Sequence, residues 1–471
     1  MRKKGDKYTR LVSNTMLFGI STFSSKVLSF LLTRLYTSVL AQASFGVVNL
    51  VTISANLLIP LVSLGISNAV IRFGLEKNVS KDGVFTGGLV SIGFGFGLMV
   101  LLYPLISRVP MVSDYSFLLY IYVLVSCLRT LCCQFVRAKM YTRLYAIDGI
   151  LSTIYTIGFN LLFLVVLKLG PTGYLLSIIC ADALSVIGLN LVAVLPQYIS
   201  FRRFDWTLYK AMLRYCLPLV PALMFWWITS SSDQFFISYI SGPEANGLYA
   251  AAYKVPTVVS IFSTIFTEAW QLSAVTDGQD AERDRFFSNI FSALSGVSFI
   301  IGGALIYGCR LIMRFLVAED YFDAWLYIPF LVVAIVFSTM VSFLNSIYMV
   351  EKKSGRSLVT MLIGALSNIV MNWFFIRWWG PSGAALATFF SYAIIFIIRA
   401  LDTRQFIKID FAPWKLLAST TLLCALSFIM VAQVKMWQFW CAIPMALLLA
   451  LNATSLYKGV MQVLHKRLKR A

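Results

Sequence analysis

Residues 324–349 read AWLYIPFLVVAIVFSTMVSFLNSIYM, and residues 350–356 that follow read VEKKSGR. The first stretch holds no charge, and the second supplies Lys352, Lys353 and Arg356 within a few positions. A run of about 20 apolar residues matches the hydrocarbon thickness of a bilayer when it is helical. The run is continuous rather than alternating, which predicts a helix and not a barrel strand. A span followed by a basic break is therefore the repeating unit to look for in both directions along the chain.

The apolar run recurs about fourteen times, and the basic break follows every second one. The expected spans are roughly 11–36, 46–71, 83–107, 114–136, 147–168, 172–196, 212–237, 246–270, 287–312, 324–349, 357–379, 381–402, 413–433 and 436–457. Across 471 residues the chain is 59% hydrophobic and 13% charged, more apolar surface than one soluble core could hide. Basic residues crowd every second gap. About 29 of them fall on the side that carries both termini, counting Arg399 among the gap residues. About seven fall on the other side: Arg34, Arg108, Lys168, Arg310, Arg314, Arg377 and Lys435. Basic loops stay in the cytoplasm, so both termini are expected there. The formal charge of +19 thus reports topology and not nucleic-acid binding.

No polar gap leaves room for a soluble catalytic domain. The single His465 lies in the basic tail, and the eight cysteines sit in apolar runs as small buried hydrophobes. No zincin, nucleophile-elbow or phosphate-loop motif is present. Gly93, Gly95 and Gly97 lie inside a span with no strand before them, so close helix packing is expected there and not a dinucleotide site. The reading is of a non-enzyme with no cofactor and no metal.

The chain repeats itself. Gly170-Pro171-Thr172-Gly173 joins the fifth and sixth runs, and Gly380-Pro381-Ser382-Gly383 joins the eleventh and twelfth. Each follows an Asn in an apolar run, Asn160 and Asn372. An even number of spans per repeat makes the halves parallel, as in transporters with a cavity between two six-helix lobes. The expected division is residues 1–200 for the first lobe, 201–405 for the second, and 406–471 for two further helices and a basic tail.

Ionisable groups inside spans are expensive and mark function or pairing. Lys26, Arg34, Arg72, Arg129 and Lys254 are the candidates for a cationic cavity that grips phosphate, arginine by bidentate hydrogen bonds and lysine as a point charge. Asp182, Asp233 and Glu268 are candidates for ion coupling or for pairing with a base, Lys26 included. Trp226 and Trp227 lie deep enough to stack on a sugar or to pack between helices.

At this point the order of features resembles a known group. Lys26-Val27-Leu28-Ser29-Phe30-Leu31-Leu32, Arg34-Leu35-Tyr36 and Phe45-Gly46 resemble the opening of bacterial polysaccharide flippases of the multidrug/oligosaccharidyl-lipid/polysaccharide (MOP) exporter superfamily. Ser231-Ser232-Asp233-Gln234-Phe235-Phe236-Ile237, Asn246-Gly247-Leu248-Tyr249 and Ala252-Tyr253-Lys254 are similar to that family's seventh and eighth spans. The resemblance implies an all-α polytopic membrane protein in a V-shaped, MATE-like arrangement. It implies a flippase that moves undecaprenyl-diphosphate-linked oligosaccharide from the inner to the outer leaflet of the bacterial cytoplasmic membrane by alternating access. The cationic candidates would hold the head group. With no ATP-binding site in the sequence, a Na+ or H+ gradient, the membrane potential or the substrate gradient would drive the cycle. The implied partners are the lipid-linked glycan and the bilayer, with no nucleic acid. The implied form is a monomer, with a polysaccharide polymerase or glycosyltransferases as candidate associates. An ion-coupled multidrug exporter of the same superfamily and a lipid II flippase are the alternatives.

The charge count makes a direct prediction. Alkaline phosphatase, active only outside the cytoplasm, should be inactive when fused after Lys353 and active when fused after Gly380. Activity at the first position would reverse the assigned orientation.

Overall fold

The computed structural model describes residues 30, 32–76, 78–109, 112–276, 283–351, 353–433 and 435–468. Its regular secondary structure is all helical, with no strand among the described residues. Every backbone group in a lipid-facing segment needs an internal partner, and an α-helix supplies it within one segment. By residue contacts the chain divides into two units, Met1–Trp227 and Ile228–Ala471.

The first unit contains α1 (Gln42–Val62), α2 (Ile66–Gly74), α3 (Lys81–Leu101), α4 (Ser116–Ala138), α5 (Thr142–Asn160), α6 (Gly170–Val192) and α7 (Trp206–Cys216). A six-residue π-helix, Leu161–Val166, continues α5. Helix α4 packs against α1, α2, α3 and α6. Its buried face includes Leu119, Val123, Cys127, Leu131 and Phe135. Asp205 caps α7 by accepting from the backbone N–H groups of Thr207 and Leu208 at 2.8 and 3.1 Å, which meets two donors that would otherwise be open.

Helix α8 (Leu219–Ser241) contains the boundary between the units. The division thus falls inside a helix, where the sequence suggested the loop near residue 200. The second unit continues with α9 (Pro243–Tyr253), α10 (Thr257–Thr276), α11 (Arg283–Leu316), α12 (Ile328–Val350), α13 (Ser354–Thr403), α14 (Pro413–Val431) and α15 (Trp437–Leu468). Helix α12, which carries most of the stretch quoted above, is its centre and packs against α10, α11, α13 and α14. A helix apolar on every side is one that is buried on every side. Hydroxyls of Thr339 and Ser342 bond back to their own helix, to the Ile335 carbonyl at 3.1 Å and the Ser338 carbonyl at 2.9 Å.

Among the described residues ten helices are long and apolar enough to cross a membrane, so the protein is a multi-pass membrane protein. The expectation of about fourteen is met differently in several runs. Most of the first run lies outside the described residues. The eighth is two helices, broken at Lys254–Pro256. The eleventh and twelfth form one 50-residue segment, α13, bent at Gly380. The last run gives a shorter apolar stretch, Trp437–Ala453.

The two Gly-Pro turns have the same construction. Gly170 and Gly380 both adopt left-handed backbone, with φ of 58° and 59°, which turns the chain without a Cβ clash. The second glycine of each turn then sits against a carbonyl of the preceding helix. A Cβ on Gly173 would lie 2.9 Å from the Phe163 oxygen, and one on Gly383 would lie 2.0 Å from that of Phe375. Gly95 is the packing member of its glycine triplet, since its Cβ would meet the Val62 oxygen at 1.9 Å while Gly93 and Gly97 face open space.

Overpacking of this kind costs about 1–3 kcal/mol. Gly383→Ala and Gly95→Ala should therefore lower the melting temperature of the detergent-purified protein, and Gly97→Ala should leave it unchanged. Equal melting temperatures for all three would contradict these close approaches.

Candidate functional site

The intramembrane charges fall into separate groups. In the first unit, Arg129 projects from α4 to meet α5 and α6. Its Nη1 donates to Asp182 Oδ1 at 2.8 Å, its Nη2 to Ser152 Oγ at 2.7 Å, and its Nε to Ser185 Oγ at 3.1 Å. Asp148 lies 3.7 Å from Nη2. The acids are held in turn. Ser126 donates to Asp182 Oδ2, Ser185 donates to Asp148 Oδ1, each at 2.5 Å, and the Cys133 thiol donates to Asp148 Oδ2 at 3.4 Å. Asp148 and Asp182 are buried. One guanidinium between two carboxylates leaves a net charge of −1 when all three are ionised. The sequence marked Arg129 and Asp182 but not Asp148, which sits at the start of its run and passes for a loop acid. The spacing of Asp148 and Ser152, one helical turn apart, was the available signal.

The cluster forms part of the wall of a cavity of about 410 Å³ within the first unit. Asn56, Tyr122, Gln134 and Tyr145 line it as well. The Gln134 Oε1 is buried with no hydrogen-bond partner among the described residues.

In the second unit, Asp233 on α8 is buried and accepts from the Tyr249 hydroxyl of α9 at 2.7 Å and from the Gln234 N–H at 2.9 Å. Next to it in sequence, Ser232 donates to Asn368 Oδ1 at 3.0 Å, and Asn372 Nδ2 donates to the same oxygen at 2.9 Å. The Asn372 Oδ1 is buried and lacks a partner among the described residues. Lys254 caps the end of α9, at the break before α10. No carboxylate among the described residues pairs with it.

Arg399 corrects the sidedness count. Hydropathy places it in a cytoplasmic gap, yet it is 1% exposed within α13. Its Nε donates to Thr360 Oγ1 at 2.9 Å and its Nη1 to the Val341 carbonyl at 3.0 Å, while Nη2 reaches the Ser357 carbonyl and Oγ at 3.3 Å each. Its guanidinium lies 5.6 Å from the Tyr348 ring centroid, and the Tyr348 hydroxyl donates to Asp402 at 2.7 Å. A residue four positions from a helix end is easily read as a loop residue from hydropathy alone.

The remaining candidates are spread out. Arg34 is exposed on the helical segment 32–39. Arg72 is exposed in the last turn of α2, with its guanidinium 5.3 Å from the Tyr215 ring. Lys26 and the Glu268 side chain lie outside the described residues. Trp226 is exposed, whereas the Trp227 indole donates to the Ile53 carbonyl at 3.1 Å. All described groups of His, Cys, Asp and Glu fail to assemble a metal site.

A family profile described as polysaccharide biosynthesis protein matches residues 11–271. No curated protein sequence matches the chain. Among solved structures, the lipid II flippase MurJ in an inward closed conformation aligns with a TM-score of 0.72 at 15% identity, covering 95% of this chain and 100% of that one. An inward-facing multidrug resistance MATE family transporter of the MOP superfamily aligns at 0.66 and 13%, covering 82% and 98%. A MOP superfamily transporter from Pyrococcus furiosus Vc1, whose binding pocket is described as reversed in polarity, aligns at 0.58 and 15%, covering 83% and 94%. At these identities the likeness is one of fold.

Removing one partner of a buried ion pair costs roughly 3–5 kcal/mol because a desolvated charge is left behind. Arg129→Met should therefore destabilise the protein strongly. The triple change Arg129→Met, Asp148→Asn, Asp182→Asn should recover part of the loss in thermal unfolding. A triple variant no more stable than the single one would show that the acids are not what makes the arginine necessary.

Proposed function

This chain belongs to the polysaccharide biosynthesis protein family and has the fold of MOP superfamily exporters, and on that premise we propose that it is a flippase for undecaprenyl-diphosphate-linked oligosaccharide. In this reading it moves the head group from the inner to the outer leaflet of the cytoplasmic membrane by alternating access, with both termini in the cytoplasm.

The observation that carries the reading is Lys254. A lysine in the eighth apolar run is expensive unless something compensates it. Here it sits at a helix break, with no acid to pair with among the described residues. A break frees backbone groups as well as a side chain, and such interrupted helices are where transporters bind polar substrates. The ammonium is a point charge suited to a diphosphate. Arg129, by contrast, is committed to Asp182 and Asp148. The head-group role is therefore assigned first to Lys254, with Lys26, Arg34 and Arg72 as its candidate helpers.

Asp233 supports a cation- or proton-coupled cycle. It is buried and accepts from a tyrosine, and its sequence neighbour Ser232 bonds an amide cluster in which the Asn372 oxygen has no partner among the described residues. A carboxylate without an arginine or lysine partner is free to take up a cation during transport.

The test is leaflet transfer of a fluorescent undecaprenyl-diphosphate-glycan in proteoliposomes. A hydrogen bond to a charged group is worth about 1.5–3 kcal/mol, so Lys254→Ala should slow transfer by roughly 10–100-fold and Lys254→Arg should restore much of it. No transfer by the unaltered protein, together with gradient-driven efflux of a cationic dye, would favour the multidrug-exporter reading.

A further inference from the structure

We propose that the cavity beside Arg129 in the first unit is a sugar-binding pocket that takes one uncharged pyranose ring of the transported head group. The proposal rests on the flippase reading and separates the two chemistries of that head group: the diphosphate goes elsewhere, and the glycan is read here.

Charge makes the first cut. Arg129 donates from Nη1 to Asp182, from Nη2 to Ser152 and from Nε to Ser185. Turning the guanidinium toward a phosphate would strand two buried carboxylates, an arrangement that costs several kcal/mol. With both acids ionised, two acids to one base also disfavour an anion in the cavity. A bare metal ion fits no better. Asp182 already accepts at both oxygens, from Arg129 and Ser126, and Asp148 accepts from Ser185 and Cys133.

What remains open is neutral hydrogen-bonding capacity. The Gln134 Oε1 is a buried acceptor without a donor among the described residues. Asn56 adds an amide that both donates and accepts. Tyr122 and Tyr145 add ring surface to the wall. A carbohydrate offers adjacent hydroxyls, each a donor and an acceptor, on a ring with an apolar face. The volume of about 410 Å³ sits toward the lower end of the range of about 300–1,000 Å³ usual for small-molecule pockets. It accommodates one ring and not a whole oligosaccharide repeat.

Cys133 lines the same cavity and is partly accessible, whereas its neighbours Cys127 and Cys132 are buried. It gives a native reporter. The full chain in lipid nanodiscs would be alkylated with N-ethylmaleimide and Cys133 modification followed by peptide mass spectrometry. The probes are neutral hexoses, 6-deoxyhexoses and N-acetylhexosamines, against glucuronate and inorganic pyrophosphate. At least one neutral sugar should protect Cys133, and neither anion should. Gln134→Leu keeps the volume and removes the acceptor, so it should weaken that protection about tenfold. Saturation-transfer NMR with the same sugars gives a second readout that needs no thiol reactivity, and its signal should fall in the same variant. Protection by pyrophosphate, or the absence of both protection and saturation transfer for every neutral sugar, overturns the assignment. If leaflet transfer persists while the sugars fail to bind, the pocket assignment falls and the flippase reading stands. If the sugars bind and transfer is absent, the reverse holds.

Discussion

A guanidinium clamped between two carboxylates is the constraint on which the first unit depends. Three helices that would otherwise be free to rotate in lipid are fixed about their axes, because Arg129 from α4 must face Asp148 on α5 and Asp182 on α6. Apolar side chains give little rotational preference in a solvent as apolar as they are, so buried polar contacts specify the packing instead. The three serines that complete the cluster add hydrogen bonds to the guanidinium and to both acids, and such bonds are what make a buried charge tolerable.

The second unit solves the same problem without a carboxylate at the contact. Arg399 is surrounded by carbonyls, hydroxyls and the face of Tyr348, and the nearest compensation passes through that tyrosine to Asp402. Asp402 is in turn bound by Arg356 at 2.7 Å. The network links α12 to both arms of α13. Lys254 and Asp233 take no part in this network, Asp233 being held by Tyr249 and the Gln234 N–H instead of by a base, and this contrast in how charge is held underlies the functional reading.

Most of the fold was legible because length and hydropathy are local properties. The span of α12 follows from 26 residues without a charge, and its central position follows from its lack of a polar face. The Gly-Pro turns were legible for a similar reason, since both the left-handed residue and the close approach demand glycine at fixed spacing. The partners of the intramembrane charges were not legible. Whether Arg129 meets Asp182 or a base meets it first depends on how each helix is rotated, which no single run encodes. Asp148 and Arg399 were missed because both lie near the ends of runs, where hydropathy cannot separate a loop from the last turn of a buried helix.

The wide turn at Leu161–Val166 has a consequence for how the fifth span presents itself. A π-helix lodges more residues in each turn than an α-helix does. Side chains beyond it are displaced around the axis relative to those before it, so the Gly170 bend does not stand in the orientation to Asn160 that a straight α-helix would give it. Shortening the segment by one residue would swing the whole Gly170–Gly173 corner around that axis while leaving its composition untouched. The geometry of this hairpin is thus set by a residue count and not by any one side chain.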